Sequence, residues 1–408
     1  MRFTESIFSL GDLYVSDFIQ DGQEPRAGTF DLSICIDQRY GAARLTNIAP
    51  AEAMYGKYWY RSGTNQTMTN ELKDIVQSIT KYHAVKENDV WIDIGCNDGT
   101  LLSFVPENIY RIGVDPADDS FTAESKKHAN EVVQNFFSYN AIKHIKPVRE
   151  RKAKVITAIA MFYDLEHPKE FLDDIYKALD DDGLFVVQMS YTPLMIEQLA
   201  FDNICHEHVY YWSLTSIKKL LRKSHLKVVA CKLNDTNGGS FRLFIKKAHA
   251  SSATFATQPY RDVCQMEVNA LLQLEKRMKI DQPQAWRDFY YRIDDLRQKT
   301  VSFIRSEKAK GKVICGYGAS TKGNTLLQYF GLDHNDITAI AERSPYKFGL
   351  KTVGTNIPIL SEQEVRDMKP DYMLVLPWHF IHEFKIRERE YLENGGKFIV
   401  PCPSFQII

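Results

Sequence analysis

The feature that most constrains the fold is the stretch 90–102, which reads VWIDIGCNDGTLL. A short apolar run meets a turn of small polar residues and then re-enters an apolar segment. This pattern is typical of a buried parallel strand that passes into a helix through a loop that a ligand can approach. The sequence therefore predicts an α/β fold with a doubly wound parallel sheet, and a ligand site where this strand ends.

The composition of the turn indicates which ligand fits. In the register of a dinucleotide fingerprint that starts at Gly95, the second and third glycines are replaced by Asn97 and Thr100. Carboxylates in the same turn repel a pyrophosphate. A further carboxylate follows about 20 residues later, where the next strand ends and a ribose diol is bound. The pattern favours S-adenosylmethionine over a nicotinamide cofactor, with candidate contacts Asp93, Gly95, Asn97, Asp98, Thr100 and Asp115.

Changes in pattern divide the 408 residues into three parts. Residues 1–70 are predicted to form a small, irregular or β-rich unit. Residues 71–250 alternate strands and helices as a cofactor domain, and an Asn-Gly-Gly turn at 237–239 predicts an antiparallel hairpin at its edge. Residues 251–408 are predicted to form a helical linker, with an apolar stripe at Trp286, Phe289, Ile293 and Leu296, and a second, smaller Rossmann-like domain.

The strands expected in the cofactor domain are 90–94, 111–114, 131–134, 155–160 and 184–189, followed by the hairpin strands 228–233 and 241–246. Those of the second α/β domain are 312–315, 337–341, 372–376 and 397–400.

Composition limits the partners. The formal net charge of -1 gives no reason to expect a nucleic acid, and no run of roughly 18 apolar residues predicts a membrane span. The seven cysteines are scattered and form no C-x-x-C pair, which predicts reduced thiols in a cytoplasmic protein without a metal. We expect a small-molecule substrate and a monomer or homodimer.

The densest polar and aromatic cluster is the segment 201–213, which follows the fifth strand of the first sheet. Its centre is His206-Glu207-His208. We interpret His208 as a general base and Glu207 as the group that orients it or shares its proton. Two alternatives stay open: the imidazoles pack at a domain junction, or they bind a metal together with ligands from elsewhere.

Three further segments offer substrate contacts. The hairpin tip brings Asn237, Ser240 and Arg242 together, although the segment also suits a plain turn. The glycine-rich loop from Gly316 opens a helix, so Tyr317 and Lys322 are candidates for binding a diphosphate; a plain glycine turn is the alternative. Finally, Tyr60 lies in an aromatic-dense segment that either packs in a core or presents a phenol to the ligands.

In order along the chain, these segments resemble the sugar C-methyltransferases, which use S-adenosylmethionine to methylate nucleotide-linked 4-keto sugars, often at C3. The resemblance covers almost the whole chain. The matching segments are Tyr58-x-Tyr60-x-Ser62, Asp93-x-Gly95-x-Asn97-Asp98-Gly99-Thr100, Gly113-Val114-Asp115-Pro116, His206-Glu207-His208, Asn237-Gly238-Gly239-Ser240-x-Arg242, Gly316-Tyr317-Gly318-Ala319-x-x-Lys322-Gly323-Asn324 and Leu376-Pro377-Trp378.

The chain departs from this family in two places. Members commonly open with a zinc-binding module of two C-x-x-C pairs, of which only Cys35 has a counterpart here, so no zinc is expected. Some members also carry a tyrosine two residues before the motif glutamate, where this chain has Cys205. A catalytic phenol at that position therefore cannot be transferred to this chain.

The resemblance implies a mechanism and a place in deoxysugar biosynthesis. His208, supported by Glu207, would take the proton from C3, and His206, Tyr60 or Arg242 would donate to the enolate oxygen. The C-terminal domain would hold the nucleotide diphosphate through Lys322. Three alternatives remain: an O-methyltransferase with the same cofactor, a nicotinamide-dependent sugar oxidoreductase, and a non-catalytic protein that binds nucleotide sugars.

Overall fold

The structure is a computed structural model that describes residues 5–50, 54, 61–252, 255–258 and 260–408. Its strands are β1 (Phe8–Tyr14), β2 (Phe18–Ile19), β3 (Thr29–Asp37), β4 (Ala42–Leu45), β5 (Val90–Ile94), β6 (Tyr110–Val114), β7 (Glu131–Val133), β8 (Ala153–Ile159), β9 (Leu179–Ser190), β10 (Tyr210–Tyr211), β11 (Leu226–Asn234), β12 (Ser240–Lys247), β13 (Ile314–Tyr317), β14 (Ile340–Glu342), β15 (Lys351–Thr352), β16 (Ile359–Ser361), β17 (Tyr372–Val375), β18 (Lys397–Val400) and β19 (Gln406–Ile407).

The α-helices within these residues are α1 (Gln66–Tyr82), α2 (Asp119–Ser125), α3 (Tyr139–Ile142), α4 (Lys146–Arg151), α5 (Pro168–Ala178), α6 (Thr192–Glu197), α7 (Leu214–Lys223), α8 (Tyr260–Met278), α9 (Pro283–Ala309), α10 (Thr321–Phe330), α11 (Glu362–Asp367), α12 (Ile381–Arg387) and α13 (Arg389–Glu393). Short 3₁₀ turns that matter for the site lie at Ser62–Thr64, Phe162–Asp164, Phe201–Asn203, Thr236–Gly238 and Trp378–Phe380.

The first α/β sheet has seven strands in the order β11-β12-β9-β8-β5-β6-β7. The strands from β9 to β7 are parallel, which confirms the doubly wound fold predicted from the sequence. The predicted hairpin is also present, since β11 pairs antiparallel with β12. However, β12 also pairs antiparallel with β9, so of the two hairpin strands only β11 lies at an edge of the sheet.

Most of the predicted boundaries in this sheet are within two residues of those observed, and the larger differences have local causes. The strand β9 begins at Leu179, five residues before the predicted start at 184. Helix α1 begins at Gln66 because Asn65 caps it, accepting hydrogen bonds from two backbone N–H groups. The predicted helical linker consists of two helices separated at 279–282, and Pro283 starts the second of them. The apolar stripe of α9 is buried as predicted.

The N-terminal sheet has the order β1-β3-β4-β10. Its last strand is Tyr210–Tyr211, which pairs antiparallel with β4 although it lies far along the chain, within the range of the cofactor domain. The segment that carries His206, Glu207 and His208 therefore ends in the N-terminal sheet. We propose a division into three domains, residues 1–70, 71–250 and 251–408. Strand β10 lies within the second range but belongs to the sheet of the first.

The C-terminal sheet has six strands in the order β16-β14-β13-β17-β18-β19, of which only β19 is antiparallel to its neighbour. Its core continues into the N-terminal sheet. Phe201, Tyr211, Trp286 and Phe330 belong to one cluster of buried apolar residues that includes side chains of both sheets and of α9. The segment 201–211 is therefore packed between the three parts of the molecule, which fixes the position of its polar side chains.

All seven cysteines are buried and free. Of the helices that the structure describes, none has the length and apolar character that crossing a membrane requires.

Candidate active site

Two carboxylates lie at the carboxyl ends of neighbouring parallel strands, where α/β sheets bind their ligands. Asp93, near the end of β5, accepts a hydrogen bond of 2.6 Å from Thr157 Oγ1. Burial raises the pKa of Asp93 to about 7; the Thr157 hydroxyl opposes the rise and the charge of Asp115 adds to it. Asp115 follows β6 and accepts the N–H groups of Asn97 and Ala117, each at 2.8 Å. A carboxylate has about four acceptor positions, so Asp115 can still accept from hydroxyl groups.

The remaining polar side chains of the cofactor loop hold the turn that precedes α1. Asn97 Oδ1 accepts from the Ser62 N–H at 3.1 Å, and Asp98 Oδ2 accepts from the Gly63 N–H at 2.8 Å. Asp98 Oδ1 also accepts from the Thr100 hydroxyl at 2.5 Å. These three residues were predicted to contact the cofactor. In the structure their side chains build and close the loop, so any contact with the cofactor comes in addition to that role.

Two glycines with positive φ keep the loop close to its neighbours. A Cβ at Gly95 (φ +71°) would lie 3.3 Å from Met161 Cγ, and a Cβ at Gly99 (φ +78°) would lie 2.8 Å from Ser125 Cα. The loop therefore packs directly on the turn after β8 and on the end of α2.

A cavity of about 460 Å³ opens beside this loop, lined by Arg61, Gly63, Asp98, Thr100, Ser120, Glu124, His128 and Tyr346. Arg61 stands over the ring of Phe121 at 4.0 Å and donates to Ser120 Oγ at 2.6 Å. The cavity lies outside the His206–His208 segment. Tyr60, a predicted catalytic residue, lies outside the described residues.

His208 is held in one tautomer. Its Nδ1 lies 2.8 Å from the carbonyl oxygen of Asn203, which only accepts, so Nδ1 carries the proton and Nε2 keeps its lone pair. The ring packs on Tyr163 with centroids 4.1 Å apart. Burial and the cation of Lys322 lower the pKa of His208 to about 3. The imidazole is therefore neutral at neutral pH and presents an unprotonated nitrogen, as a general base must.

His206 is turned towards the N-terminal sheet. Its Nε2 donates to the carbonyl oxygen of Phe30 at 3.1 Å, and its ring meets that of Phe30 edge-on with centroids 6.1 Å apart. The residue is only 3% exposed. In this structure the Nε2 donor of His206 is used within the protein, and donation by His206 to a substrate oxygen stays a prediction. No group of three or more His, Cys, Asp or Glu side chains within the described ranges is arranged to hold a metal.

Glu207 belongs to a group of buried polar atoms near His208. Its Oε2 is buried without a hydrogen-bond partner, as are Asp164 Oδ1 and the Tyr211 hydroxyl. Burial raises the pKa of the Glu207 carboxyl. The carbonyl of Asn203, and not Glu207, fixes the tautomer of His208. The predicted role of Glu207, which was to orient His208 or to share its proton, stays a prediction.

Lys322 reaches out of the C-terminal domain and into this group. Its Nζ donates to Asn203 Oδ1 at 2.6 Å, and Asp202, Cys205 and Asp164 are the charged or ionisable groups that act on it. Burial lowers the pKa of the Lys322 ammonium. In this structure the cation of Lys322 is bound to the residue whose carbonyl holds His208, and its binding of a diphosphate stays a prediction.

The three predicted substrate residues of the hairpin have different surroundings. Arg242 donates to Glu71 Oε1 at 2.7 Å, to Asp74 Oδ2 at 2.8 Å and to Gln188 Oε1 at 2.8 Å, and its side chain is 4% exposed. The guanidinium thus ties β12 to α1, which corrects its assignment as a substrate contact.

The other two hairpin residues lie at the tip itself. Ser240 Oγ donates to the carbonyl of Thr236 at 2.9 Å and closes the turn. Asn237, with φ +55°, is partly exposed and stands next to Gly238. A Cβ at Gly238 would lie 3.2 Å from the ring of Trp378, so the tip touches the C-terminal domain. Asn237 therefore remains a candidate substrate contact.

Tyr317, another predicted substrate residue, is 2% exposed. Its hydroxyl lies 2.8 Å from both Glu362 Oε1 and Glu388 Oε1, and Glu388 is in turn paired with Arg366. The phenol is therefore part of the interior of the C-terminal domain, and this corrects its assignment as a substrate contact.

Several residues of the site were not singled out individually by the sequence, although most of them lie in segments that it indicated. The carbonyl and side chain of Asn203 connect His208 to Lys322, and Trp378 Nε1 donates to Asp202 Oδ2 at 3.1 Å. Asp164 comes from the turn after β8. That turn follows a parallel strand next to β5, so its position at the carboxyl edge of the sheet could have indicated it.

The site has two halves. The carboxylates at the ends of β5 and β6 lie in a loop without the glycines of a dinucleotide site, and a neutral imidazole with a free lone pair lies at the contact with the second α/β domain. Together with the strand order, these features define a methyltransferase of the S-adenosylmethionine-dependent class.

Comparison with known proteins gives the same class. Residues 65–230 match a family model described as a methyltransferase domain, and residues 235–403 match one described as the C-methyltransferase C-terminal domain. The C-methyltransferase NovU of Streptomyces niveus is 29% identical over 391 residues, which cover 95% of this chain and 90% of that protein. The chain is an S-adenosylmethionine-dependent methyltransferase that is similar to C-methyltransferases, and not a nicotinamide-dependent oxidoreductase or a non-catalytic binding protein.

Solved structures with local similarity include a chain from the complex between the Haloferax volcanii Trm112 methyltransferase activator and a methyltransferase. It is 14% identical, with a TM-score of 0.35, over 45% of this chain and 94% of that one. An S-adenosylmethionine-dependent methyltransferase from Clostridium acetobutylicum is 12% identical, with a TM-score of 0.33, over 44% and 92%. Scores at this level carry no argument, so the class assignment depends on the strand order and the family matches.

Proposed function

We propose that this C-methyltransferase acts on a nucleotide-linked 4-keto sugar and transfers the methyl group to C3. One observation carries the proposal: His208 presents an unprotonated Nε2 because the Asn203 carbonyl holds the proton on Nδ1. Methyl transfer to carbon requires a carbanion, and therefore a base; a ketone makes the neighbouring C–H removable. The resemblance to sugar C-methyltransferases supplies the class of substrate.

The surroundings of His208 disfavour a positive charge on its ring until a negative charge forms beside it. In the free enzyme, burial and Lys322 keep the imidazole neutral. When it takes the C3 proton, an enolate forms nearby, and its negative charge favours the imidazolium. The partly buried carboxyl of Glu207 adds a second negative charge when it is ionised. The base is thus free before the reaction and becomes stronger as the reaction proceeds.

The cofactor loop fits a cationic ligand that lacks phosphate. Burial raises the pKa of both Asp93 and Asp115, as expected for carboxylates that have no cation beside them. S-adenosylmethionine supplies a methyl group on a sulfonium. We propose that Asp93 and the Gly95 loop face its methionine part, that Asp115 accepts its ribose hydroxyls, and that Asn97, Asp98 and Thr100 keep the loop in shape.

A labelled-methyl experiment tests the proposed function. The enzyme is incubated with S-adenosylmethionine carrying a ¹³C methyl group and with 4-keto-6-deoxyhexoses linked to thymidine, uridine or guanosine diphosphate. We expect a product whose new methyl carbon is coupled to C3 of the sugar in the NMR spectrum. A methyl group with the chemical shift of a methoxy carbon would support O-methylation instead. Absence of transfer to any of the three sugars would contradict the proposed substrate class.

A further inference from the structure

The 3₁₀ turn Phe162–Asp164 touches both halves of the site. It follows β8, which lies beside the cofactor strand β5. Just before it, Met161 packs on the cofactor loop, since a Cβ at Gly95 would lie 3.3 Å from its Cγ. Tyr163, within the turn, packs on the ring of His208 with centroids 4.1 Å apart. The next residue, Asp164, therefore stands where methyl donor and base come together.

The carboxyl of Asp164 has an unused oxygen. Its Oδ1 is buried and has no hydrogen-bond partner among the described residues, although the residue as a whole is partly exposed. The Tyr211 hydroxyl is buried and unpartnered in the same group. A buried polar atom without a partner is costly in a native protein, so such an atom in a site is a candidate for binding a ligand.

The charges around Asp164 determine its protonation. Asp164 and Asp202 both interact with the ammonium of Lys322, Glu207 interacts with Asp164, and the His208 ring is neutral. Two buried carboxyls that interact with each other resist ionising together. Burial and the charge of Glu207 raise the pKa of Asp164 well above its usual range. The raised pKa favours the protonated form of Asp164, which can donate a hydrogen bond.

We propose that Asp164 is a further catalytic residue, which as a neutral carboxylic acid donates a hydrogen bond to the C4 oxygen of the substrate while the enolate forms. This inference rests on the proposed function. A carboxylic acid kept neutral by an apolar environment is an effective donor to an enolate oxygen. Asp164 would then supply the donor that this chain lacks at Cys205, where a phenol occurs in some similar enzymes.

The proton-transfer step balances without further reagents. The C3–H bond breaks, and the proton forms an N–H bond with His208 Nε2. The electron pair of the C–H bond becomes the C3–C4 π bond, and the π pair of the C4 carbonyl moves onto its oxygen. The carboxylic acid of Asp164 donates a hydrogen bond to that oxygen. This hydrogen bond weakens when the C4 ketone re-forms.

A spectroscopic test requires no substrate. The infrared spectrum of the enzyme at neutral pH, compared with that of Asp164→Asn, should lose one C=O stretch of a protonated carboxylic acid. Glu207→Gln is the matched variant in the same group, and its difference spectrum should keep the band that Asp164→Asn removes. Absence of a lost band in Asp164→Asn would overturn the inference, whatever the substrate.

The catalytic test follows exchange of the C3 hydrogen in D₂O with S-adenosylhomocysteine bound, so that no methyl transfer takes place. The probe is whichever nucleoside diphosphate-linked 4-keto-6-deoxyhexose the labelling experiment identifies. We expect Asp164→Ala to slow exchange about a hundredfold, the usual effect of removing one donor to an oxyanion. Asp164→Asn, which keeps an N–H donor, should recover most of this loss, and both variants should bind S-adenosylhomocysteine like the wild type.

The outcomes separate the two claims. Exchange in Asp164→Ala at the wild-type rate would overturn the role of Asp164 and leave the proposed function intact. The same holds if Asp164→Asn is as slow as Asp164→Ala, since a charge and not a donor would then be required, or if only Tyr211→Phe slows exchange. A wild-type enzyme that binds the sugar but does not exchange its C3 hydrogen would overturn the proposed function, and this inference with it.

Discussion

Both α/β domains begin with a parallel strand followed by a loop and a neighbouring parallel strand. The surroundings of this loop differ between the two domains. In the first, the backbone N–H of Asn97, in the loop after β5, donates to Asp115, which follows β6. In the second, the loop after β13 ends near Glu342, the last residue of β14. There Lys347 Nζ donates to the Ala319 carbonyl at 2.7 Å and lies 3.6 Å from Glu342 Oε2. The second domain thus fills with its own lysine the place where the first would bind a ligand.

The start of α10 is also directed at other parts of the chain. Lys322 donates to Asn203 in the first domain, and Asn324 Nδ2 donates to Ser16 Oγ at 3.0 Å and to the Asp17 carbonyl at 2.9 Å. A glycine-rich turn before a helix is therefore a poor guide to ligand binding by itself. In this molecule the glycine-rich turn before α10 places Lys322 against Asn203, in the site of the first domain.

Lys322→Met should have the largest effect of the variants that test whether the start of α10 supports the site of the first domain. Loss of the ammonium removes the shorter of the two hydrogen bonds to Asn203 Oδ1 and leaves only that from Ser190 Oγ at 3.2 Å, so the carbonyl that holds His208 is less firmly placed. A small displacement of a base is expected to cost about a hundredfold in kcat. Loss of a largely buried cation among carboxyls should also lower the free energy of unfolding by about 2 kcal/mol in urea titrations. Affinity for S-adenosylhomocysteine should not change.

Lys351→Met is the matched control. Lys351 pairs with the exposed Asp21 at 2.6 Å, an ion pair that involves none of the site residues, and its loss should leave kcat unchanged. If Lys322→Met instead raised only the KM for the nucleotide sugar, the original assignment of Lys322 to a diphosphate would be restored.

The two strand-end acids allow a paired test. Asp115→Asn should weaken S-adenosylhomocysteine binding about tenfold in calorimetry, because an amide is a poorer acceptor for ribose hydroxyls than a carboxylate. Glu342→Gln, at the equivalent strand end of the second sheet, should have no effect on the same titration. Equal losses in both variants would mean that the second domain also binds the cofactor.

The pKa of Asp93 predicts a smaller effect that depends on pH. Because that pKa is raised to about 7, the carboxyl is mostly neutral at pH 6 and mostly ionised at pH 8. Binding of cationic S-adenosylmethionine should therefore tighten several-fold over about this range, and binding of uncharged-sulfur S-adenosylhomocysteine should tighten less. Asp93→Asn should abolish the difference between the two ligands; its persistence would assign the effect to another group.

The same shift affects stability with a definite sign. The folded-state pKa of Asp93 lies above its ordinary value of 3.8, so the native protein binds more protons than the unfolded chain between the two values. The contribution of Asp93 to the free energy of unfolding should therefore fall as pH rises through this window and become constant above about pH 7. Urea titrations of wild type and Asp93→Asn would show it.

The smallest expected effect is that of Tyr317→Phe. Its hydroxyl bonds to Glu362 and Glu388 within the C-terminal domain, so its loss should cost about 1 kcal/mol of unfolding free energy. The KM for the nucleotide sugar should not change. A large rise in that KM would return Tyr317 to the substrate site.

Much of the cofactor domain could be predicted because its signals are local. The apolar run of β5, the turn after it and the hairpin at 237–239 each depend on residues close in sequence, and the structure contains all three. The buried stripe of α9 was equally clear, since its spacing is that of one helix face. Local pattern also suggested the class of cofactor.

The catalytic region could be predicted only in part, because its geometry comes from contacts distant in sequence. Nothing near Lys322 indicates that its ammonium meets Asn203, which lies 119 residues away in the chain. Likewise, Arg242 looks like a surface cation until α1 brings Glu71 and Asp74 to it. The destination of a long cationic side chain depends on which unit packs against it, and the sequence does not show that packing.

We propose that His208 is the base that removes a substrate proton. The carbonyl of Asn203 fixes its tautomer, and Lys322 donates a hydrogen bond to the side chain of Asn203. The most direct test is exchange of the sugar's C3 hydrogen in D₂O with S-adenosylhomocysteine bound, comparing wild type with His208→Ala. His249→Ala serves as control, because that imidazole is exposed and lies 3.8 Å from Asp181 on the surface. We expect His208→Ala to slow exchange by about a hundredfold or more, with ligand binding and the control unaffected. Exchange at the wild-type rate in His208→Ala would contradict the account.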